Sequence, residues 1–272
     1  MPRQTTSRRI RMASAFLALL LPARLAAAQE RMPGLDTRTE LVRIGPGTSA
    51  TLTLPPGAAP GRPLAVVVLL PDADGLGPRS ALYGQRLLEN GIALLEPDFL
   101  GGLAEDMPLP PAAARLALAV AAVDADPRLD PRRLAVVGLG EGGRAALLGQ
   151  AAMAAGLPLA LLYPGCDAAL AAAAARAAGP VLLLHGDEDA ANQPADCARL
   201  AAAFPQPEAV RHSVLAGASY GWDAYDLVRP GGLTRLQDPA GTARRTWSRP
   251  DMTTTMVAAD RVLGFVLAAV GR

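Results

Sequence analysis

The chain has 272 residues, 51% hydrophobic and only 4% aromatic, a length and apolar content that suit one large α/β domain and argue against a disordered chain. Its 26 basic residues include no lysine, and with 25 acids they leave a formal charge of +1. Five arginines (Arg3, Arg8, Arg9, Arg11, Arg24) lie in residues 1–28, which hold no acid. The other 21 basic residues face 25 acids, a net of −4 with no basic stripe, which argues against nucleic acid as a partner.

Residues 1–28 read as a signal peptide. Basic residues lead into MASAFLALLL (Met12 to Leu21), and AAAQ (Ala26 to Gln29) supplies a small-x-small cleavage site, with the cut expected between Ala28 and Gln29. The apolar run is about half of the ~20 residues that span a bilayer, and Pro22 and Arg24 end it. A retained anchor is therefore the lesser reading, and no membrane anchor is expected after cleavage. Ser7-Arg8-Arg9 hints at twin-arginine export. Either route implies a periplasmic or extracellular bacterial protein whose mature chain, 29–272, is a single domain. In an oxidising compartment Cys166 and Cys197 suggest a disulfide, with two buried free thiols as the other reading.

Two alternating segments come first, ELVRI (Glu40 to Ile44) and SATLTLP (Ser49 to Pro55), and they predict an antiparallel hairpin. Unbroken apolar runs follow: LAVVVLLP from Leu64, IALLEP from Ile92, RLAVVGLG from Arg133, LPLALLYP from Leu157, PVLLLHG from Pro180 and VRHSVLAG from Val210. Short runs of this kind fit strands buried on both faces, as in a parallel sheet. The segments between them are long enough for crossover helices, and MTTTMVAADRVLGFVLAAV (Met252 to Val270) predicts a closing amphipathic helix. The βαβα alternation predicts an α/β fold with a mostly parallel doubly wound sheet and helices on both faces.

The chemistry should lie where VVGLGEGGRAALL (Val136 to Leu148) turns from strand to helix. Gly138, Gly140 and Gly143 spell G-x-G-x-x-G, a nucleotide-binding pattern, with Asp167 placed to face a ribose. That motif normally occupies the first strand–helix turn of its domain, and here buried strands precede it. The same turn is where a nucleophile elbow G-x-S-x-G is built. Gly138-Leu139-Gly140-Glu141-Gly142 keeps the outer glycines and places Gly140 at the nucleophile position.

The segment LLPDADGLGPRSALYGQRLLENGIALLEPDFLGG (Leu69 to Gly102), with VLLLHGDEDAANQPADCARL (Val181 to Leu200) and LAGASYGWDAYD (Leu215 to Asp226), resembles the dienelactone hydrolase family across nearly all of the mature chain. The resemblance implies an α/β-hydrolase fold, an ester or lactone hydrolase ancestry and no cofactor or metal. Secreted members look similar around YPGC and PADC, which implies a Cys166–Cys197 bridge. Position by position, the triad acid falls on Asp189, the nucleophile on Gly140 and the histidine on Tyr220. The oxyanion-hole amides fall on Ala73 and Glu141, with Asp72, Trp222 and His185 around the pocket. Glycine offers no nucleophile, and a phenol with an ordinary pKa near 10 is a poor base at neutral pH. The expectation is a catalytically impaired protein, a pseudoenzyme, in which a small void at Gly140 and the Tyr220 phenol hold a small carbonyl or carboxylate ligand, or which scaffolds a partner. The alternatives are an active hydrolase with a rearranged site, built from Glu141 or His185, and the nucleotide binder. His212, eight residues before Tyr220, is expected far from the site, and Ser219 is expected on the other face of its turn. Glycine at the elbow should also relieve the strained, positive-φ conformation that a nucleophile adopts there.

Overall fold

The structure is a computed structural model that describes residues 37–99, 110–153, 156–225, 232–240 and 244–271. The expected signal peptide, with its cleavage site at Ala28, lies outside the described residues.

The predicted hairpin is β1 (Arg38–Gly45) and β2 (Thr48–Leu54), paired antiparallel. The apolar runs become β3 (Leu64–Leu70), β4 (Ala93–Asp98), β5 (Leu129–Leu139), β6 (Leu159–Leu162), β7 (Val181–Gly186) and β8 (Val210–Leu215). They join the hairpin in one eight-stranded sheet of order β1-β2-β4-β3-β5-β6-β7-β8. β2 pairs antiparallel with β4, and every pairing from β4 to β8 is parallel.

The apolar runs are unbroken because both faces of the sheet are covered. Side chains alternate across a strand, so Val66, Val68 and Leu70 of β3 join Leu134 and Val136 of β5 in a core on one face. Helices α2 (Ala112–Ala125), α3 (Glu141–Met153), α4 (Ala168–Ala174) and α5 (Pro194–Ala202) close that face through residues such as Leu116, Ala146, Leu170 and Leu200. On the other face Val67 and Leu69 join Val137 and Leu139, covered by α1 (Ala81–Glu89) and α6 (Met252–Val270). α6 buries Ala258, Ala259, Val262, Phe265, Val266 and Val270, the spacing of one helical stripe, and Asp251 caps its first turn by accepting from Thr254 N–H. A short ribbon, β9 (Thr234–Gln237) paired antiparallel with β10 (Arg245–Ser248), was not foreseen. Its four-residue strands are too short to show an alternation.

Cys166 and Cys197 form a disulfide that ties the start of α4 to α5. The bridge closes a loop of 31 residues, for which the chain-entropy description assigns about 3–4 kcal/mol. The Cys166→Ser/Cys197→Ser variant should lose stability of that order in urea unfolding, and reductant should destabilise the wild type but not the variant.

Candidate functional site

The C-terminal ends of β3, β5, β6 and β7 meet at one place, where a doubly wound sheet presents its loops. β5 ends at Leu139, α3 starts at Glu141, and Gly140 makes the turn between them with φ +49°. The positive φ expected at this position is therefore present. A side chain at Gly142 would overlap the Leu70 and Pro71 carbonyls, so glycine there lets α3 approach the tip of β3. Gly138 packs in the same way against the backbone of Gly143. Close packing thus accounts for the glycine spacing that suggested a nucleotide site. Asp167 also has other work. It caps α4 by accepting from Leu170 N–H (2.8 Å) and pairs with Arg144 (2.8 Å).

The void expected beside Gly140 does not exist. A Cβ on Gly140 would overlap the Asp72 carboxylate and the Tyr220 hydroxyl. The two expected oxyanion-hole amides do converge, but on a group of the chain itself: Ala73 N–H (2.8 Å) and Glu141 N–H (2.9 Å) both donate to Asp72 Oδ1. The other oxygen, Asp72 Oδ2, accepts from the Tyr220 hydroxyl (2.7 Å) and from Arg79 Nη1 (3.0 Å). Asp72 has a side-chain exposure of 3% and Arg79 of 5%. The hollow that remains, outlined by Pro71, Asp72, Ala73, Gly75, Phe99, Arg115 and Glu141, measures about 30 Å³, room for one or two waters. Glu141 points its carboxylate to Arg115 (2.8 Å).

Behind Asp72 lies a buried polar network that the sequence did not disclose. Arg79 also bonds Asp74 (2.8 Å), Asp223 Oδ1 (3.2 Å) and the Tyr163 hydroxyl (3.3 Å). Asp223 accepts from Tyr163 (2.7 and 2.9 Å) and from Tyr83 (2.8 Å), and Trp222 Nε1 donates to Tyr83 (3.1 Å). Trp222 is therefore a fully buried member of this network rather than the lining of an open pocket. Tyr163 is the one described non-glycine residue with positive φ, +41°. It is held there by its hydroxyl and by edge-on contacts to the rings of Tyr220 (5.1 Å) and Trp222 (4.6 Å). Burial, then the negative charge of Asp72, pushes the Tyr220 phenol well above its ordinary pKa, and burial with Asp223 does the same for Tyr83 and Tyr163. All three remain hydrogen-bond donors at neutral pH.

Asp189 follows β7, as expected, but its carboxylate accepts from Ala191 N–H (2.8 Å) and Asn192 Nδ2 (2.9 Å) rather than from Tyr220. Asn192 in turn accepts from Gly165 N–H (2.8 Å) and Cys166 N–H (3.3 Å), linking Asp189 to the disulfide loop. Burial pushes the Asp189 pKa up to about 7. His185 is not in the pocket. It shares the strand face of Leu183, opposite Tyr220 and Trp222, and its Nε2 meets His212 Nε2 at 2.8 Å. Ser219 bonds the backbone of Arg249. Among the described residues, no group of three or more His, Cys, Asp or Glu side chains converges as a metal site.

No protein-family model matches the chain, and no curated protein does. Solved structures do match. A dienelactone hydrolase from Anabaena variabilis aligns with a TM-score of 0.60 at 16% identity, covering 86% of this chain and 98% of its own. A dienelactone hydrolase-like promiscuous phosphotriesterase from metagenomic libraries gives 0.65 at 20%, covering 87% and 99%. Est1E from Butyrivibrio proteoclasticus, with ferulic acid bound, gives 0.61 at 13%, covering 86% and 100%. The chain has the fold of dienelactone hydrolases and related α/β-hydrolases.

Gly140→Ser should destabilise the protein by roughly 2–5 kcal/mol, from the left-handed backbone and the overlap with Asp72. Urea unfolding of Gly140→Ser in wild-type and Asp72→Ala backgrounds should show a smaller cost in the second. Asp189 has a folded pKa above its unfolded one, so the folded state holds the extra proton. Its contribution to stability is fully present below about pH 4 and is lost as pH rises to about 7, by at most about 4 kcal/mol. Asp189→Asn should flatten the stability–pH curve over that window.

Proposed function

We propose that the protein is a non-catalytic member of the dienelactone hydrolase family, exported after loss of residues 1–28, whose mature chain 29–272 keeps a hydrolase scaffold with its reaction centre closed from within. The observation that carries this reading is Asp72 Oδ1, which accepts both Ala73 and Glu141 amides in the space a nucleophile would need. Ester hydrolysis needs a nucleophile, a base that can take its proton, and free donors for the developing oxyanion. Gly140 supplies no nucleophile, Tyr220 is a donor to Asp72, and the donors are engaged. The small carboxylate such a centre would bind is already present as Asp72. The surface therefore carries the binding or scaffolding role. The disulfide is compatible with a site of action in the cell envelope or outside the cell.

The test is hydrolysis of short-chain nitrophenyl esters and a small lactone by the mature protein. No turnover above buffer is expected. The Gly140→Ser/Tyr220→His variant should also stay inactive, because Asp72 still fills the elbow. Adding Asp72→Ala should give measurable turnover. Enzyme-like rates from the wild type would overturn the proposal and favour a rearranged hydrolase site.

A further inference from the structure

Glu96 stands apart from the other sheltered acids of the fold. Asp72 and Asp223 are met by Arg79 and by neutral donors, and Asp189 accepts two hydrogen bonds from its own loop. Glu96 is partly buried near the end of β4. Among the described residues it accepts one hydrogen bond, from the Ser80 hydroxyl (2.8 Å), and pairs with no cation. The adjacent Arg79 is turned the other way, to Asp72, Asp74 and Asp223. Burial pushes the Glu96 carboxyl above the ordinary glutamate range. A carboxylate drawn out of water without a counter-charge is costly, and no other described group offsets this one.

Glu96 lies on the wall of a groove of about 540 Å³ between α1 and β2, a size within the range of small-molecule sites. On the sheet side Thr51 and Thr53 of β2 stand opposite Glu96 and Leu94 of β4. On the helix side Ala81, Gly84, Gln85 and Leu88 form one stripe of α1. The stripe is small at its first turn, and Gly84 lets α1 come down on the sheet, since a Cβ there would lie 2.8 Å from Leu94 Cδ2. Glu96 is the one charged residue among those that line the groove.

We infer that this groove binds a small primary ammonium that carries a short apolar tail. The ammonium supplies the positive charge that Glu96 lacks, and it brings three N–H donors. The carboxylate accepts one in a charge-assisted bond, and the Ser80 and Thr51 oxygens on the same walls are acceptors for the others. Leu76, Leu88 and Leu94 give the tail an apolar surface. A quaternary ammonium donates no hydrogen bond and is held by aromatic faces, and no aromatic ring lines the groove. None of the lining residues belongs to the Asp72 network. The inference therefore goes beyond the closed-elbow reading and does not depend on it. Ester turnover by the wild type would overturn that reading and leave this groove as it is.

The experiment is a titration of the mature protein with phenethylamine and pentylamine at low salt and about pH 8, read by calorimetry and by NMR. Phenethyl alcohol and tetramethylammonium are the comparison probes. The expected result is saturable binding of one amine per chain with a Kd of about 1 mM or below. The alcohol and the quaternary ion should bind about tenfold or more weakly, because each lacks one part of the charged hydrogen bond. Glu96→Gln keeps an acceptor for Ser80 and removes the charge, and it should weaken amine binding by a similar factor. Ala81→Phe, at an exposed position of the groove wall, should block binding by filling the space. Urea unfolding checks that both variants fold. Should one fail to fold, the other and the comparison of probes decide. Absence of saturable amine binding, equal binding of the alcohol, or amine binding unchanged in Glu96→Gln would overturn the inference.

Discussion

A buried carboxylate is among the most expensive groups a fold can contain unless its lone pairs are met. Asp72 sits at the tip of β3 with four donors on its two oxygens: two backbone amides, a phenol and a guanidinium. Each donor comes from a different part of the chain, so this one group fixes the β3 loop, the start of α3, the turn holding Tyr220 and the segment before α1. Arg79 extends the constraint. It lies between the buried carboxylates of Asp72 and Asp223 and also reaches Asp74, so a single cation serves three acids. The balance is supplied by neutral donors, the hydroxyls of Tyr220, Tyr163 and Tyr83.

Gly140, Asp72 and Tyr220 make sense only as a set. Glycine at 140 leaves the space that the Asp72 carboxylate enters. Tyr220 places a hydroxyl against the Asp72 carboxylate, and a buried phenol stays protonated across the physiological range. A histidine there would titrate close to neutrality. Gly140→Ser or Tyr220→His alone therefore conflicts with the rest of the site, which is packed around glycine and tyrosine at those positions. Asp189 shows the same reassignment. With no imidazole to orient, it binds its own loop through Ala191 and Asn192, and through Asn192 it supports the backbone at Gly165 and Cys166.

Most of the fold was legible because strands covered on both faces must be largely apolar, as β3 to β7 are; the sixth run, VRHSVL, also became a strand, but at the edge of the sheet, where Arg211, His212 and Ser213 are at least partly exposed. The β9–β10 ribbon was not legible. Its strands are short and pair only with each other. At the site, sequence located Gly140, Tyr220, Ala73, Glu141 and Asp72 but not their mutual contacts. Local sequence does not say that an aspartate will turn back onto its neighbour's amide. Two signals for the missed residues were nonetheless present. Arg79 precedes α1, where a helix dipole disfavours a cation, so it needed a compensating partner. The chain has only four tyrosines, and three of them meet here with Trp222. The positive φ of Tyr163 left no trace in the sequence, since nothing but the surrounding packing imposes it. His185 was misplaced because position at a strand's end does not by itself fix the face. Two-residue alternation from Leu183 does.

The closed elbow also explains why Asp72 occupies this site. A strand–elbow–helix turn aims the first amide of the helix, here Glu141, and the Ala73 amide at one point whether or not a nucleophile is present. In a working hydrolase, water and substrate oxygen meet those donors. Here Gly140 has no side chain and aromatic side chains pack around the site, so the two donors lie in a nearly dry space, and each would cost about 1–3 kcal/mol if unpaired. An internal acceptor with two oxygens removes that cost, and its charge is then met by Arg79. The two amides thus hold a permanent anion, and the turn is a clasp of the fold.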